Sequence, residues 1–190
     1  MKFIAADTET GGLDPLKHSL LTLCFRVLDE NLDTIDQLSV AVKHEVYRVT
    51  AGAMRVNKID LVKHDQIAVP VPAAQQMIEN FVVAHGSTEK LIWMMHNVPF
   101  DKGFLGATFD LERLKAFIDY HSLDTVTLGV VEKWLGTLSK KQSLSLGKIA
   151  DTLQLEKGPE HTAEGDVTTM VNYGKSFIAR YKAFLLKASL

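Results

Sequence analysis

The sequence predicts a layered α/β domain with a mixed sheet, on three observations. The chain opens with an apolar strand that ends in two acids, residues 2–12 (KFIAADTETGG). Two further strand-like runs follow across short polar connections, which makes them antiparallel neighbours. From residue 70 onward helical patterns alternate with apolar strands, and such alternation layers helices on a sheet.

In the opening strand, residues i and i+2 share a face. Phe3, Ala5, Asp7 and Glu9 therefore lie on one side, and Ile4, Ala6 and Thr8 on the other. The early strand is apolar on both faces, so it is expected at the centre of the sheet, covered on both sides. Gly11 and Gly12 then allow a sharp turn. Residues 19–28 (SLLTLCFRVL) are the second expected strand and residues 34–42 (TIDQLSVAV) the third, with a polar turn at Asp29, Glu30 and Asn31 between them. Residues 50–56 read as a short helix with Thr50 as its cap. Pro70 and Pro72 mark a loop, after which a helix over 73–84 places Met77, Ile78, Phe81 and Val82 at helical spacing. A fourth strand spans 90–95 (KLIWMM), and Pro99 suits the first turn of a helix running through residue 108. Residues 116–120 are the fifth strand. Helices over 125–135 and 144–153 come next. Gly158 and Pro159 break the chain before a closing helix over 162–187. Its residues Val167, Met170, Val171, Phe177, Ile178, Tyr181, Phe184 and Leu185 form an apolar stripe, and Gly174 on that stripe suggests close packing.

A chain of 190 residues is long enough for one domain with a sizeable core, and residues 1–190 are read as a single domain without an interdomain linker. The lone Cys24 cannot form an internal disulfide or a zinc pattern, which fits a reducing cytoplasm. No apolar run is long enough to span a membrane, and acids by Asp7 rule out a signal-peptide core at the N-terminus. The net charge of −2 does not mark a nucleic-acid binder. Bound divalent cations could still supply the positive charge that meets phosphates.

Candidate chemistry gathers around four acids and one histidine. Asp7 and Glu9 sit two residues apart on one strand face, with Cα atoms roughly 6.6 Å apart at a rise of about 3.3 Å per residue. Two carboxylates so placed can converge on one hard cation, although acids at a strand end also serve as a plain polar turn. Asp101 lies in the first turn of the helix after the fourth strand, where an acid also suits the helix dipole. Asp166 shares a helix face with Ala163, Met170 and Tyr173, at the edge of the stripe that packs on the sheet. An acid there needs a partner, and a cation is one. His161 precedes the same helix in a loop from which it can swing over that spot. His18, His44, His64, His85 and His121 read as ordinary surface residues.

Taken together, these blocks resemble the DEDDh branch of the 3′→5′ exonucleases, the family of proofreading exonuclease subunits, ribonuclease T and oligoribonuclease. Asp7-Thr8-Glu9-Thr10, followed by Gly-Gly-Leu-Asp, resembles its first motif. His96-Asn97-Val98-Pro99-Phe100-Asp101 resembles the second. His161, Ala163 and Asp166 stand as in the third, whose histidine defines the branch. Asp124-Thr125 sits where the family often has an Asp-Thr pair. Residues 53–59 resemble a segment that usually carries glycine after Asn or His, where this chain has Lys58.

The resemblance implies a ribonuclease-H-like fold with a five-stranded mixed sheet, a three-stranded antiparallel meander plus two parallel strands, flanked by helices. It implies two divalent metal ions, Mg²⁺ or Mn²⁺, held by Asp7, Glu9, Asp101 and Asp166, with His161 as general base on the attacking water. Thr10, Leu13, His96, Asn97 and Phe100 would line the pocket of the terminal nucleotide. For Leu13 and Phe100 ordinary core packing is the competing reading. The implied activity is 3′→5′ exonuclease action on the 3′ end of single-stranded DNA or RNA. A polymerase-associated or nucleic-acid-binding subunit with little turnover is the alternative, with a DNA polymerase as partner. Oligomeric state is left open.

Overall fold

The computed structural model describes residues 1–188, with side chains through residue 184. The sheet is built on β1 (Lys2–Thr10), which pairs antiparallel with β2 (Leu20–Leu28). β2 pairs antiparallel with β3 (Thr34–Lys43), completing the expected meander. On its other side β1 takes β5 (Leu91–Met95) in parallel, and β5 takes β6 (Ile118–Asp124) in parallel. A sixth strand corrects the five-strand expectation: β4 (Val69–Pro70) pairs in parallel with the end of β3, giving the order β4-β3-β2-β1-β5-β6. Two residues carry no readable alternation. Proline, which cannot donate to a ladder, is tolerated because β4 is an edge.

The helices are α1 (Ala51–Asn57), α2 (Leu61–Ile67), α3 (Val71–Gly86), α4 (Val98–Thr108), α5 (Thr125–Leu135), α6 (Leu146–Thr152) and α7 (Ala163–Ala188), with a short 3-10 helix at Leu111–Leu114. α3 starts two residues before its expected position, because Pro72 fits the first turn rather than a loop. The α2 helix was not expected. It buries only His64 and has no apolar stripe, so its one sequence signal is Asp60, whose carboxylate accepts from the Val62 and Lys63 amides. His64 is thus a core residue, 4% exposed, and its Nε2 donates to Val42 O at 3.0 Å. β6 starts two residues later and runs four residues further than the expected strand, which brings Asp124 to the cap of α5.

The two faces of β1 lead into two cores, as the alternation requires. Ile4 and Ala6 pack with Phe25, Trp93, Ile78, Val82 and Phe104, under α3 and α4. Phe3 and Ala5 pack with Val167, Met170 and Val171 of α7. Gly174 lets α7 approach closely, since a Cβ there would lie 2.7 Å from Met94 Cε and 2.9 Å from Leu32 Cδ1. The stripe on α7 is buried only in its first part. Phe177 and Ile178 are half-buried, Tyr181 and Phe184 are exposed, and the Leu185 side chain lies outside the described residues. Geometry explains the overhang: 26 helical residues span about 39 Å at a rise of about 1.5 Å, whereas nine strand residues span about 30 Å. Behind α7, buried Glu132 accepts from Tyr173 Oη at 2.9 Å and pairs with Arg180. Among the described residues, no helix is long and apolar enough to cross a membrane.

The segment with Lys58 ends α1 in the left-handed region. Lys58 has φ 56° and ψ 22°, and its N–H donates to Met54 O. A residue without a Cβ adopts this conformation freely and lysine does not, so the helix ending is kept at a cost in strain.

Candidate active site

The site forms where β1 runs out. Its last residues turn at Gly11, whose N–H donates to Ser19 O at 2.7 Å and whose carbonyl accepts from Thr50 N at 2.7 Å. A Cβ on Gly11 would lie 2.3 Å from Arg48 O, so the turn needs a glycine. Asp7 and Glu9 project from the α7 face of β1, half-buried, and Asp166 meets them from the first turn of α7. One carboxylate oxygen from each of Asp7, Glu9 and Asp166 lies within 4.8 Å of the other two.

Asp101 stands beside this trio and is held from the opposite face of β1. It is 2% exposed, and Thr8 Oγ1 donates to its Oδ1 at 2.7 Å. Thr8 alternates with Asp7 and Glu9, so one strand end supplies two acids on one side and the hydrogen bond that orients a third acid on the other. Thr8 was not among the expected site residues. Its signal is the same strand alternation, but its partner lies 93 residues away.

Four acids crowded together resist ionising. Burial pushes Glu9 up to about 7, and the charges of Asp166 and Asp101 push in the same direction. Burial likewise raises Asp101 to about 7, against the hydrogen bonds from Thr8 that favour its charged form. Asp7 is raised by burial first and then by Asp101, Asp166 and Glu9. Asp166 is raised by burial and partly relieved by His161. Among the described residues no lysine or arginine forms an ion pair with any of these four acids. The donor set, all carboxylate oxygens, fits hard divalent cations, and their charge would offset the repulsion.

A cavity opens on each side of the acids. The larger, about 600 Å³, is lined by Asp7, Asp166, His161, His96 and residues of α6 and the loop after it. His161 is exposed at its wall with φ 61°. The smaller, about 470 Å³, is lined by Glu9, Thr10, Leu13, Val56, Asn57 and Phe100 among others. Leu13 is 85% exposed there, while Phe100 is half-buried, packing on Phe104 at 5.1 Å between centroids as well as lining the cavity. Thr10 Oγ1 donates to Gly12 O at 2.7 Å, and Asn57 Nδ2 donates to Thr10 O at 3.1 Å.

His96 and Asn97 are placed differently from each other. Burial lowers the His96 pKa, so the ring is neutral. Nε2 donates to Leu144 O at 2.9 Å, and Nδ1 is hydrogen-bonded to Thr125 Oγ1 at 2.8 Å, beside Met95 O. Both nitrogens are engaged, and the ring offers the cavity only its edge. Asn97 is exposed, lines neither of these two cavities, and takes φ 71° as the residue before α4. Asp124 holds that turn: its carboxylate accepts from the amides of Asn97 at 3.0 Å, Val98 at 3.1 Å and Val126 at 2.9 Å. One acid therefore caps two helices and fixes the end of β5 against that of β6.

The family model RNase T, described as Exonuclease, matches residues 4–173. No curated protein sequence matches the chain. Among solved structures, E. coli exonuclease I in complex with a dT13 oligonucleotide is similar with TM-score 0.80 and 16% identity, over 97% of this chain and 42% of that one. A zinc-bound E. coli exonuclease I–single-stranded DNA complex is similar with TM-score 0.78 and 17% identity, over 94% and 40%. A moderately thermophilic exonuclease I from Methylocaldum szegediense is similar with TM-score 0.74 and 15% identity, over 92% and 39%. At these identities the likeness is one of fold, that of the ribonuclease-H-like exonucleases. The chain spans about two fifths of the length of the exonuclease I chains it matches.

Proposed function

The chain belongs to the RNase T exonuclease family, and from that premise we propose that residues 1–190 form one metal-dependent 3′→5′ exonuclease domain, which removes 5′-mononucleotides from the 3′ ends of single-stranded DNA or RNA. The observation that carries this reading is the trio of Asp7, Glu9 and Asp166 oxygens within 4.8 Å of one another, set between two cavities. Asp7, Glu9, Asp101 and Asp166 would hold two divalent cations, Mg²⁺ or Mn²⁺, which would supply positive charge to the attacking and leaving oxygens at phosphorus.

His161 faces the cavity from beside Asp166 and takes the proton of the attacking water. The water oxygen bonds to phosphorus as the bond to the 3′-oxygen of the penultimate nucleotide breaks. That oxygen is protonated from solvent, and the terminal nucleotide leaves with its 5′-phosphate. The smaller cavity receives the terminal nucleotide. Thr8 and Thr10 spend their hydroxyl protons inside the protein, so Leu13, Val56 and Phe100 meet the base by stacking and apolar contact. His96 supplies a fixed wall to the larger cavity, and Asn97, which lines neither cavity, offers its exposed amide to the strand beyond them. The buried, free Cys24 is consistent with a cytoplasmic setting, and a DNA polymerase is a partner that the family resemblance suggests.

The test is digestion of matched 5′-labelled DNA and RNA oligonucleotides with Mg²⁺ or Mn²⁺. A descending ladder on either substrate, lost in chelator, is the expected result. Labelled mononucleotide as the first product, or identical digestion in chelator, refutes the reading.

A further inference from the structure

The loop that carries His161 crosses from α6 to α7 over residues 153–162, along the wall of the larger cavity. None of the side-chain hydrogen bonds among the described residues involves the His161 ring, so its position depends on how the loop itself is held. On the α7 side the holding is tight. Thr162 Oγ1 donates to Pro159 O at 2.9 Å and accepts from Gly165 N at 3.1 Å. Gly158 N donates to Thr169 Oγ1 at 3.1 Å, and Asn172 Nδ2 donates to Glu156 O at 3.0 Å. Gly165 passes under the loop so closely that a Cβ would lie 1.9 Å from Pro159 O.

On the α6 side the start of the loop is held by its backbone, Leu155 N donating to Ala150 O at 2.9 Å, and the stretch nearer His161 is held by one side chain. Lys157 Nζ donates to Asp151 Oδ1 of α6 at 2.7 Å and to Glu160 Oε1 at 2.6 Å. Glu160 directly precedes His161, and Lys157, Asp151 and Glu160 line the same cavity as Asp7, His161 and Asp166. Lys157 therefore closes the loop on itself and on α6 one residue before the histidine.

We propose that Lys157 is a positioning residue: by bridging Asp151 and Glu160 it anchors the His161 loop to α6 and holds the imidazole over the acid cluster. This rests on the exonuclease reading above. Exposed ion pairs add little to global stability because water screens them, so the bridge acts locally. A displacement of about 1 Å at a reacting group can lower a rate on the order of a hundredfold, and a loosened loop that still samples the right position loses less.

The test compares wild type, Lys157→Met and Lys157→Arg by two measurements. The first is hydrogen exchange of the amides of residues 154–162 in chelator. The second is single-turnover hydrolysis of a 5′-labelled oligonucleotide at saturating enzyme with Mn²⁺. Lys157→Met is expected to exchange faster in that loop only, to unfold near the wild-type temperature, and to cleave about tenfold more slowly. Lys157→Arg, which can span the same two carboxylates, restores both. Unchanged exchange in Lys157→Met overturns the anchor, and faster exchange with an unchanged single-turnover rate overturns its role in positioning. A loss confined to substrate affinity also overturns the proposal, because it would make Lys157 a strand contact. If the wild type cleaves neither DNA nor RNA, the exonuclease reading fails and the positioning role with it, while exchange still decides whether Lys157 anchors the loop.

Discussion

Raising the pH of the metal-free protein is expected to weaken its fold, and Glu9 allows the size to be worked out. Its folded-state pKa is about 7 against an ordinary 4.5. An acid with a raised folded pKa stabilises the fold fully below its unfolded pKa, where both states are protonated. That stability is lost as pH rises through the folded value, because the native state must then hold a charge it resists. Between about pH 5.5 and about pH 8 the loss from Glu9 alone is about 2 kcal/mol. Asp101 and Asp7 titrate as a coupled set and change the stability in the same direction, without simple addition. For a domain of this size 1 kcal/mol corresponds to roughly 2–4 °C, so Glu9 alone should lower the unfolding temperature by about 4–8 °C. The assay is thermal unfolding in chelator across this range for wild type and Glu9→Gln, a nearly isosteric change that removes the ionisation. The variant should lose the Glu9 share, and the part of the Asp7 share that the Glu9 charge imposes, so its stability should fall less steeply with pH than the wild type's. Mn²⁺ should raise the wild-type unfolding temperature most at the alkaline end, by about 2.7 kcal/mol when free ion is a hundredfold above Kd. A wild type whose metal-free stability is flat or rises over this window, or a Glu9→Gln variant with the wild-type slope, would show that the acids do not repel one another in the folded protein.

Three further outcomes follow from the same geometry. Asp7→Asn removes one charge at nearly constant shape, so it should abolish oligonucleotide hydrolysis, leave the chelated protein as stable as wild type or more so, and shrink the Mn²⁺-induced shift in unfolding temperature. His161→Ala takes away a proton acceptor outside the oxygen cluster, so it should keep the Mn²⁺ shift while the rate falls by about 10²–10⁴ in a single-turnover assay. Lys58→Gly replaces a lysine at φ 56°, and relief of left-handed strain, less the entropy of a new glycine, should stabilise the fold by about 0.5–1 kcal/mol in urea unfolding; a destabilised variant would mean that the Lys58 side chain makes a compensating contact.

Much of this protein is local physics written along the chain. Alternation alone divides Ile4 and Ala6 from Phe3 and Ala5 and sends them to separate cores, and it places Asp7 and Glu9 on one face. Helical spacing sets Asp166 at the edge of the buried stripe of α7, and the short connections make the first three strands a meander. What the tertiary structure alone decided depends on residues far apart in sequence. Thr8 meets Asp101 across 93 residues, His96 is bonded on both nitrogens by Thr125 and Leu144, and Asp124 caps two helices at once. No periodicity encodes such contacts, because each partner's own neighbourhood is compatible with a plain cap or a surface position. The two-residue β4 and the largely polar α2 are legible only once β3 and Val42 stand beside them. Lys58 shows the same division from the other side: a propensity argument disfavours lysine where the helix turns left-handed, yet the chain turns there, since Asn57 behind it is tied to Thr10 at the end of the acid-bearing strand.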